Sequence, residues 1–229
     1  MTFLEDHPPR VRQFRRPRRA TPSGVIVVHT AESILDTVGP DTGAENVAAF
    51  IVARTDYGSY HLLVDSDSIV QLVPFDAEAY GDRTGSNLHA IHLSFACSTT
   101  DWSRMSAAKR TAFVRNGARA AARAAEWLKA EHGVTVPPRR ISRADSEHRR
   151  PGFISHAERD PSRRTDPGTG FPWGEFLSTF EAFVDPGPNV GPTVSSINHT
   201  IKVAKRDKVG GRIVARLKKI RADVRRKRK

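Results

Sequence analysis

The chain has 229 residues, and its 37 Lys and Arg against 25 Asp and Glu give a formal charge of +12. At roughly 100 to 200 residues per domain, this length holds one substantial domain and a tail rather than two full domains. A single cysteine, Cys97, excludes an internal disulfide. No apolar run approaches the ~18 residues of a membrane span, and the arginine-rich start lacks the apolar stretch of a secretory signal peptide.

In chain order, residues 1–23 read as a basic leader carrying Arg10, Arg12, Arg15, Arg16, Arg18 and Arg19. Residues 25–29 predict a buried strand, and residues 44–54 predict a helix with Val47, Phe50 and Ile51 on one face. Apolar runs at 60–64 and 69–73 flank the turn-forming Asp65-Ser66-Asp67-Ser68 and predict a hairpin. Residues 90–96 predict a central strand, because Ile91, Leu93 and Phe95 alternate with other residues. A long helix is expected over 106–131, with Ser106 as N-cap, Gly133 as its stop, and Phe113, Ala120, Ala124, Trp127 and Leu128 as the packing stripe. A Pro-rich loop over 156–173 leads to a last short helix, 173–184, built on Phe176, Phe180 and Phe183.

Alternating strands and helices predict an α/β fold, a mixed central β-sheet flanked by helices, with the hairpin excluding a purely parallel sheet. The domain is expected over 24–184, followed by a Pro/Gly linker at 185–200 and a cationic tail at 201–229. The last thirty residues hold fourteen cations against Asp207 and Asp223, which leaves 23 charges of each sign in the remainder. The body is therefore formally neutral. In the tail, Val209, Ile213, Leu217, Ile220 and Val224 recur at helical spacing and predict a basic amphipathic helix.

Three residues carry the chemistry. His29 ends an apolar strand, the position from which open α/β sheets project ligands toward a crevice. His156 and Asp166 lie ten residues apart, too far for adjacent helical turns, but Pro161 and Pro167 argue for an ordered loop that folds back on itself. Two imidazoles and a carboxylate, with an open fourth position, are the pattern of a catalytic zinc site and point to metal-assisted hydrolysis. Each residue taken alone also reads as an ordinary polar side chain, and His7, His132, His148 and His199 are read that way. Cys97 reads as a small buried hydrophobe, since no neighbouring base lowers its pKa.

His156, Pro161, the run Arg163-Arg164-Thr165-Asp166-Pro167-Gly168, Phe171 and Trp173 together resemble the second half of the zinc site of the type 2 N-acetylmuramoyl-L-alanine amidases. That family groups phage endolysins, bacterial muropeptide-recycling amidases and animal peptidoglycan recognition proteins. His29 behind 25–28, and Tyr60-His61 before an apolar run, are similar to its first half. The resemblance covers residues 24–184. It implies Zn2+ held by His29, His156 and Asp166, with water in the fourth position, and hydrolysis of the amide between N-acetylmuramic acid and L-alanine. It implies that Arg164, where many relatives carry lysine, holds the oxyanion, and that Tyr60 serves catalysis or water positioning as in phage relatives. The bland alternatives are a solvated loop cation and a strand aromatic.

Two residues depart from the pattern. Ser94 stands where the recycling enzymes place a glutamate base, and His92 where a small residue is usual. The phage branch is therefore the nearer one, with Tyr60, His61 or Glu32 left as candidates for the proton carrier. The reading that follows is a monomeric phage or prophage lysin acting on peptidoglycan, held in host cytoplasm before lysis. Residues 201–229 would engage an anionic membrane surface or wall polymer. Nucleic acid is disfavoured because no aromatic residue interrupts the basic run. The competing readings are an intracellular muropeptide-recycling amidase and a non-catalytic wall-binding module.

Overall fold

The computed structural model describes residues 3–4, 13–33, 35 and 40–185. The chain divides into two units, Met1–Val184 and Asp185–Lys229. The expected linker beyond Asp185 and the expected amphipathic helix at 201–229 lie outside the described residues.

Among the described residues, six strands make the main sheet. In chain order they are β1 (Phe3–Leu4), β3 (Val25–Thr30), β4 (Leu62–Val64), β5 (Ile69–Gln71), β7 (Ile91–Phe95) and β8 (Gly152–Ser155), while β2 (Phe14–Arg15) and β6 (Glu78–Ala79) form a separate antiparallel pair. The order across the sheet is β1-β5-β4-β7-β3-β8. Only the β4–β5 hairpin is antiparallel, so the sheet is mixed, as expected. The central pairing sets His29 against Ser94, and Val27 against His92 on one side and Ile154 on the other.

Strand alternation sends the two sheet faces to different layers. Ile26, Val28, Leu62, Val64, Leu93 and Phe95 pack on α2 (Ala107–His132) and α5 (Trp173–Val184) through Phe113, Ala121, Leu128, Phe176 and Phe180. Leu63 and Val70 face α1 (Gly43–Ala53), which buries Ala44, Val47, Ala48 and Ile51. The Ser106 side chain caps α2 by accepting from Lys109 N, and Gly133 closes it at φ 66. Both ends are where local signals put them.

Three features differ from the sequence reading. Phe50 was expected on the packing face of α1, but it is 64% exposed because Ala44, Val47, Ala48 and Ile51 already complete the i, i+3, i+4, i+7 stripe. Strand β8 and the short α3 (Arg143–Glu147) were not foreseen. Residues 13–23, expected as part of the leader, pack on the body: Phe14–Arg15 pairs with Glu78–Ala79, and Arg19 bridges to buried Glu78 at 2.9 Å. Arg18 reaches further in, donating from Nε to Phe75 O at 2.7 Å and from Nη2 to Ala90 O at 3.2 Å.

Candidate metal centre and active-site groove

Three separate pieces of chain converge at one end of the sheet. His29 is the penultimate residue of β3, on the face opposite α2. His156 opens α4 (His156–Arg159), directly after β8. Its start is fixed by a capping box in which the Ser155 side chain takes Glu158 N while the Glu158 carboxylate takes Ser155 N. Asp166 lies in the loop beyond, which is pinned at three points. Ala157 N donates to Asp166 O at 2.8 Å, and Trp102 Nε1 donates to Pro167 O at 2.8 Å. Gly168, at φ 93, leaves no room for a Cβ against the Thr99 carbonyl.

The structure brings the three side chains together. One ligand atom from each of His29, His156 and Asp166 lies within 4.8 Å of the others, and all three residues are buried. Asp166 Oδ2 stands 3.1 Å from His156 Nδ1 and 3.5 Å from His29 Nδ1. A tetrahedral zinc with bonds of ~2.0 to 2.2 Å spaces its ligand atoms about 3.3 to 3.6 Å apart, so the donor set and its spacing suit that ion. His29 Nδ1, the nitrogen that faces Asp166, is buried with no hydrogen-bond partner among the described residues. A bound cation relieves such a deficit at a nitrogen.

Electrostatics favour the ligand-competent protonation states. Burial would raise the Asp166 carboxyl, but the imidazoles of His156 and His29 beside it outweigh that and hold the group below the usual carboxylate range. Burial lowers the His29 pKa against the pull of Asp166, which keeps the imidazole neutral. Metal ligation requires both forms.

Around this centre runs a groove of about 2160 Å³, lined by Glu32, Phe50, Tyr57, Tyr60, Arg164 and Asp166 among others. Tyr60 stacks obliquely on His29, ring centroids 5.1 Å apart, and burial together with Asp166 pushes its hydroxyl up to about 12. Arg164 is exposed, and its charge acts on Tyr60. Glu32 is exposed at the rim. His61, a candidate proton carrier from sequence, is not with them. It is fully buried, its Nδ1 takes the backbone N–H of His92 at 3.0 Å, and its Nε2 lies 3.1 Å from Ala77 O. That position removes it from the groove.

Ser94, opposite His29 in the register, is buried and its Oγ has no partner among the described residues. Sequence reading missed one residue of the centre: His92 Nδ1 is 2.9 Å from His29 Nε2, with both rings fully buried. The signal was present in the alternation, since Ile91, Leu93 and Phe95 facing one way send His92 and Ser94 to the face of His29. Phe50 and Tyr57, 64% and 71% exposed, are the large exposed hydrophobics among the described residues, and both line the groove.

Residues 18–169 match the family model described as N-acetylmuramoyl-L-alanine amidase. No curated protein matches the chain by sequence. The solution structure of the PlyG catalytic domain is 16% identical, covers 84% of this chain and 100% of that one, and superposes with a TM-score of 0.50. The likeness is one of fold. The catalytic domain of XlyA is 20% identical over 79% of this chain and 99% of that one, with a TM-score of 0.47. A mutant endolysin from Bacillus subtilis is 19% identical over the same shares, also with a TM-score of 0.47.

Proposed function

Because the chain belongs to the N-acetylmuramoyl-L-alanine amidase family, we propose that it cleaves the amide between N-acetylmuramic acid and L-alanine of peptidoglycan with a zinc ion held by His29, His156 and Asp166. The observation that carries this reading is the convergence of three buried ligand atoms within 4.8 Å. Zinc in such a site supplies an activated water nucleophile and Lewis-acid polarisation of the scissile carbonyl.

The remaining steps fall to the chain's own groups. Asp166 balances cationic charge, and the pinned 156–168 loop holds its carboxylate against the imidazoles, so little reorganisation accompanies reaction. Arg164, exposed in the groove, donates to the oxyanion that develops on the carbonyl oxygen. Tyr60, with its hydroxyl raised to about 12, is an O–H donor at neutral pH rather than a base, and orients water or the carbonyl. Of the three proton carriers read from sequence, Glu32 is the one left to accept a proton, because Tyr60 is a donor and His61 is sealed in the interior.

The substrate we assign is the polymeric wall, which makes the protein a phage or prophage lysin. Small-molecule pockets hold ~300 to 1,000 Å³, whereas this groove is about 2160 Å³ and displays Phe50 and Tyr57. The fourteen cations of the last thirty residues would prolong residence on an anionic envelope. No helix among the described residues is long and apolar enough to cross a membrane, and storage in host cytoplasm until lysis is part of the same proposal. The second reading is a muropeptide-recycling amidase, which the same centre could serve. Assays on insoluble sacculi and on soluble muropeptides, with and without chelator, separate the two. Sacculus lysis lost with EDTA and regained with zinc supports the lysin. Cleavage of soluble fragments alone supports recycling, and binding without cleavage rejects both.

A further inference from the structure

His29 is held by more than its strand. Its Nε2 lies 2.9 Å from His92 Nδ1, and both side chains are fully buried. A hydrogen bond between two neutral imidazoles needs one donor and one acceptor. When His29 Nδ1 takes up a metal, the proton of His29 resides on Nε2, and His92 Nδ1 is the atom placed to accept it. We infer that His92 is a positioning residue, an imidazole acceptor that fixes the tautomer and ring angle of His29 for metal binding.

The fold is arranged to hold His92 in that role. Its ring stacks on His61 with an interplanar angle of 7° and centroids 5.8 Å apart, and its backbone N–H donates to His61 Nδ1 at 3.0 Å. Gly81 also lies close against it, where any Cβ would collide with the His92 ring. His92 Nε2, which carries the ring's one proton when Nδ1 accepts, has no hydrogen-bond partner among the described residues. Outer partners of ligating histidines are ordinarily carboxylates, carbonyls or water, and their loss weakens metal binding by ~10- to 100-fold. An imidazole does the same work here only in the Nε2-protonated form.

This inference rests on the proposed zinc centre, and its test separates the two. Zinc dissociation constants are measured by competition with a chromophoric chelator for the wild type, His92→Leu and His92→Asn. His92→Leu, which keeps bulk and removes the acceptor, is expected to bind zinc ~10- to 100-fold more weakly. His92→Asn, whose side-chain oxygen can accept at the same branch point, is expected to stay within a few fold of the wild type. Wild-type affinity in His92→Leu, or equal weakening in both variants, overturns the positioning role and leaves the zinc centre standing. A wild type that takes up no zinc removes the centre itself. Should either variant misfold, nitrogen-15 NMR of the zinc-loaded wild type decides: the account expects His92 protonated on Nε2 and a scalar coupling across the His29–His92 hydrogen bond. Protonation of His92 on Nδ1 overturns it.

Discussion

The Oδ2 atom of Asp166 sits 3.1 Å from Nδ1 of His156, although ten residues and Pro161 separate them along the chain. The loop closes because Ala157 N donates to the Asp166 carbonyl and Trp102 Nε1 donates to the Pro167 carbonyl. Those two hydrogen bonds are made outside the centre. Trp102→Phe should therefore loosen the carboxylate: zinc affinity should fall while secondary structure persists, as read by chelator competition and circular dichroism. Unchanged affinity would show that the loop does not depend on this anchor.

Tyr60 and Arg164 should be separable from metal binding. Tyr60→Phe is expected to lower kcat by ~10²-fold, and Arg164→Ala by ~10²- to 10³-fold, the ranges for a positioned proton donor and an oxyanion donor. Arg164→Lys keeps a charge and should lose less. Zinc content should match the wild type in all three, so steady-state kinetics on a soluble muramyl peptide beside metal analysis distinguishes chemistry from ligand loss.

His61 and His89 make the fold acid-sensitive in a predictable direction. Burial lowers both, His89 to about 4 with Arg149 and Arg159 adding to it. In the unfolded chain these imidazoles protonate near ~6.5, so below that pH the unfolded state binds more protons than the folded one. Stability is then full above about 6.5 and falls with decreasing pH by up to ~1.4 kcal/mol per pH unit for each histidine. For His89 the loss ends where the folded form protonates, about 4. His89→Gln can keep the contact to Ser23 Oγ, and urea midpoints between those limits should show a shallower slope than the wild type. An unchanged slope would contradict the burial of a neutral imidazole there.

What could be read from residue order, and what could not, follows the range of the interactions involved. The ends of α2 were legible because Ser106 and Gly133 act within one turn. The convergence of His29, His156 and Asp166 was legible because the apolar run before His29 and the prolines beside Asp166 are local features, and because the 156–173 run resembles a known zinc site. β8 has four residues and exists through its pairing with β3, so its sequence carried little periodicity. Phe50 shows the same limit. One residue off the stripe, it sits in solvent with the Arg54 guanidinium 5.4 Å from its ring centroid, and only the finished groove gives it meaning.

Arg18 is the clearest case of a long-range determinant, since its partners lie 57 and 72 residues away. Burial lowers its pKa to about 10, yet it stays charged at neutral pH and donates to two carbonyls. Charge-assisted bonds contribute ~1.5 to 3 kcal/mol each, so Arg18→Ala should cost about 3 to 6 kcal/mol in urea unfolding. A chain beginning at Gly24 should be less stable than one beginning at Gln13. Equal stability would place residues 13–23 outside the folding unit.

Phe50 and Tyr57 offer a test of polymer recognition. Aromatic faces exposed beside the centre can stack on sugar rings, so Phe50→Ser with Tyr57→Ser should slow sacculus hydrolysis severalfold while leaving kcat on a small muramyl peptide near the wild-type value. Equal losses on both substrates would assign these residues to the chemistry or the fold instead.

The central claim is tested most directly by metal analysis of the purified protein beside amidase activity. The account predicts one zinc per wild-type chain, and neither zinc nor activity in His29→Ala, His156→Ala or Asp166→Ala. Full amide cleavage by metal-stripped wild type, or an undiminished zinc content in any of the three variants, would contradict it.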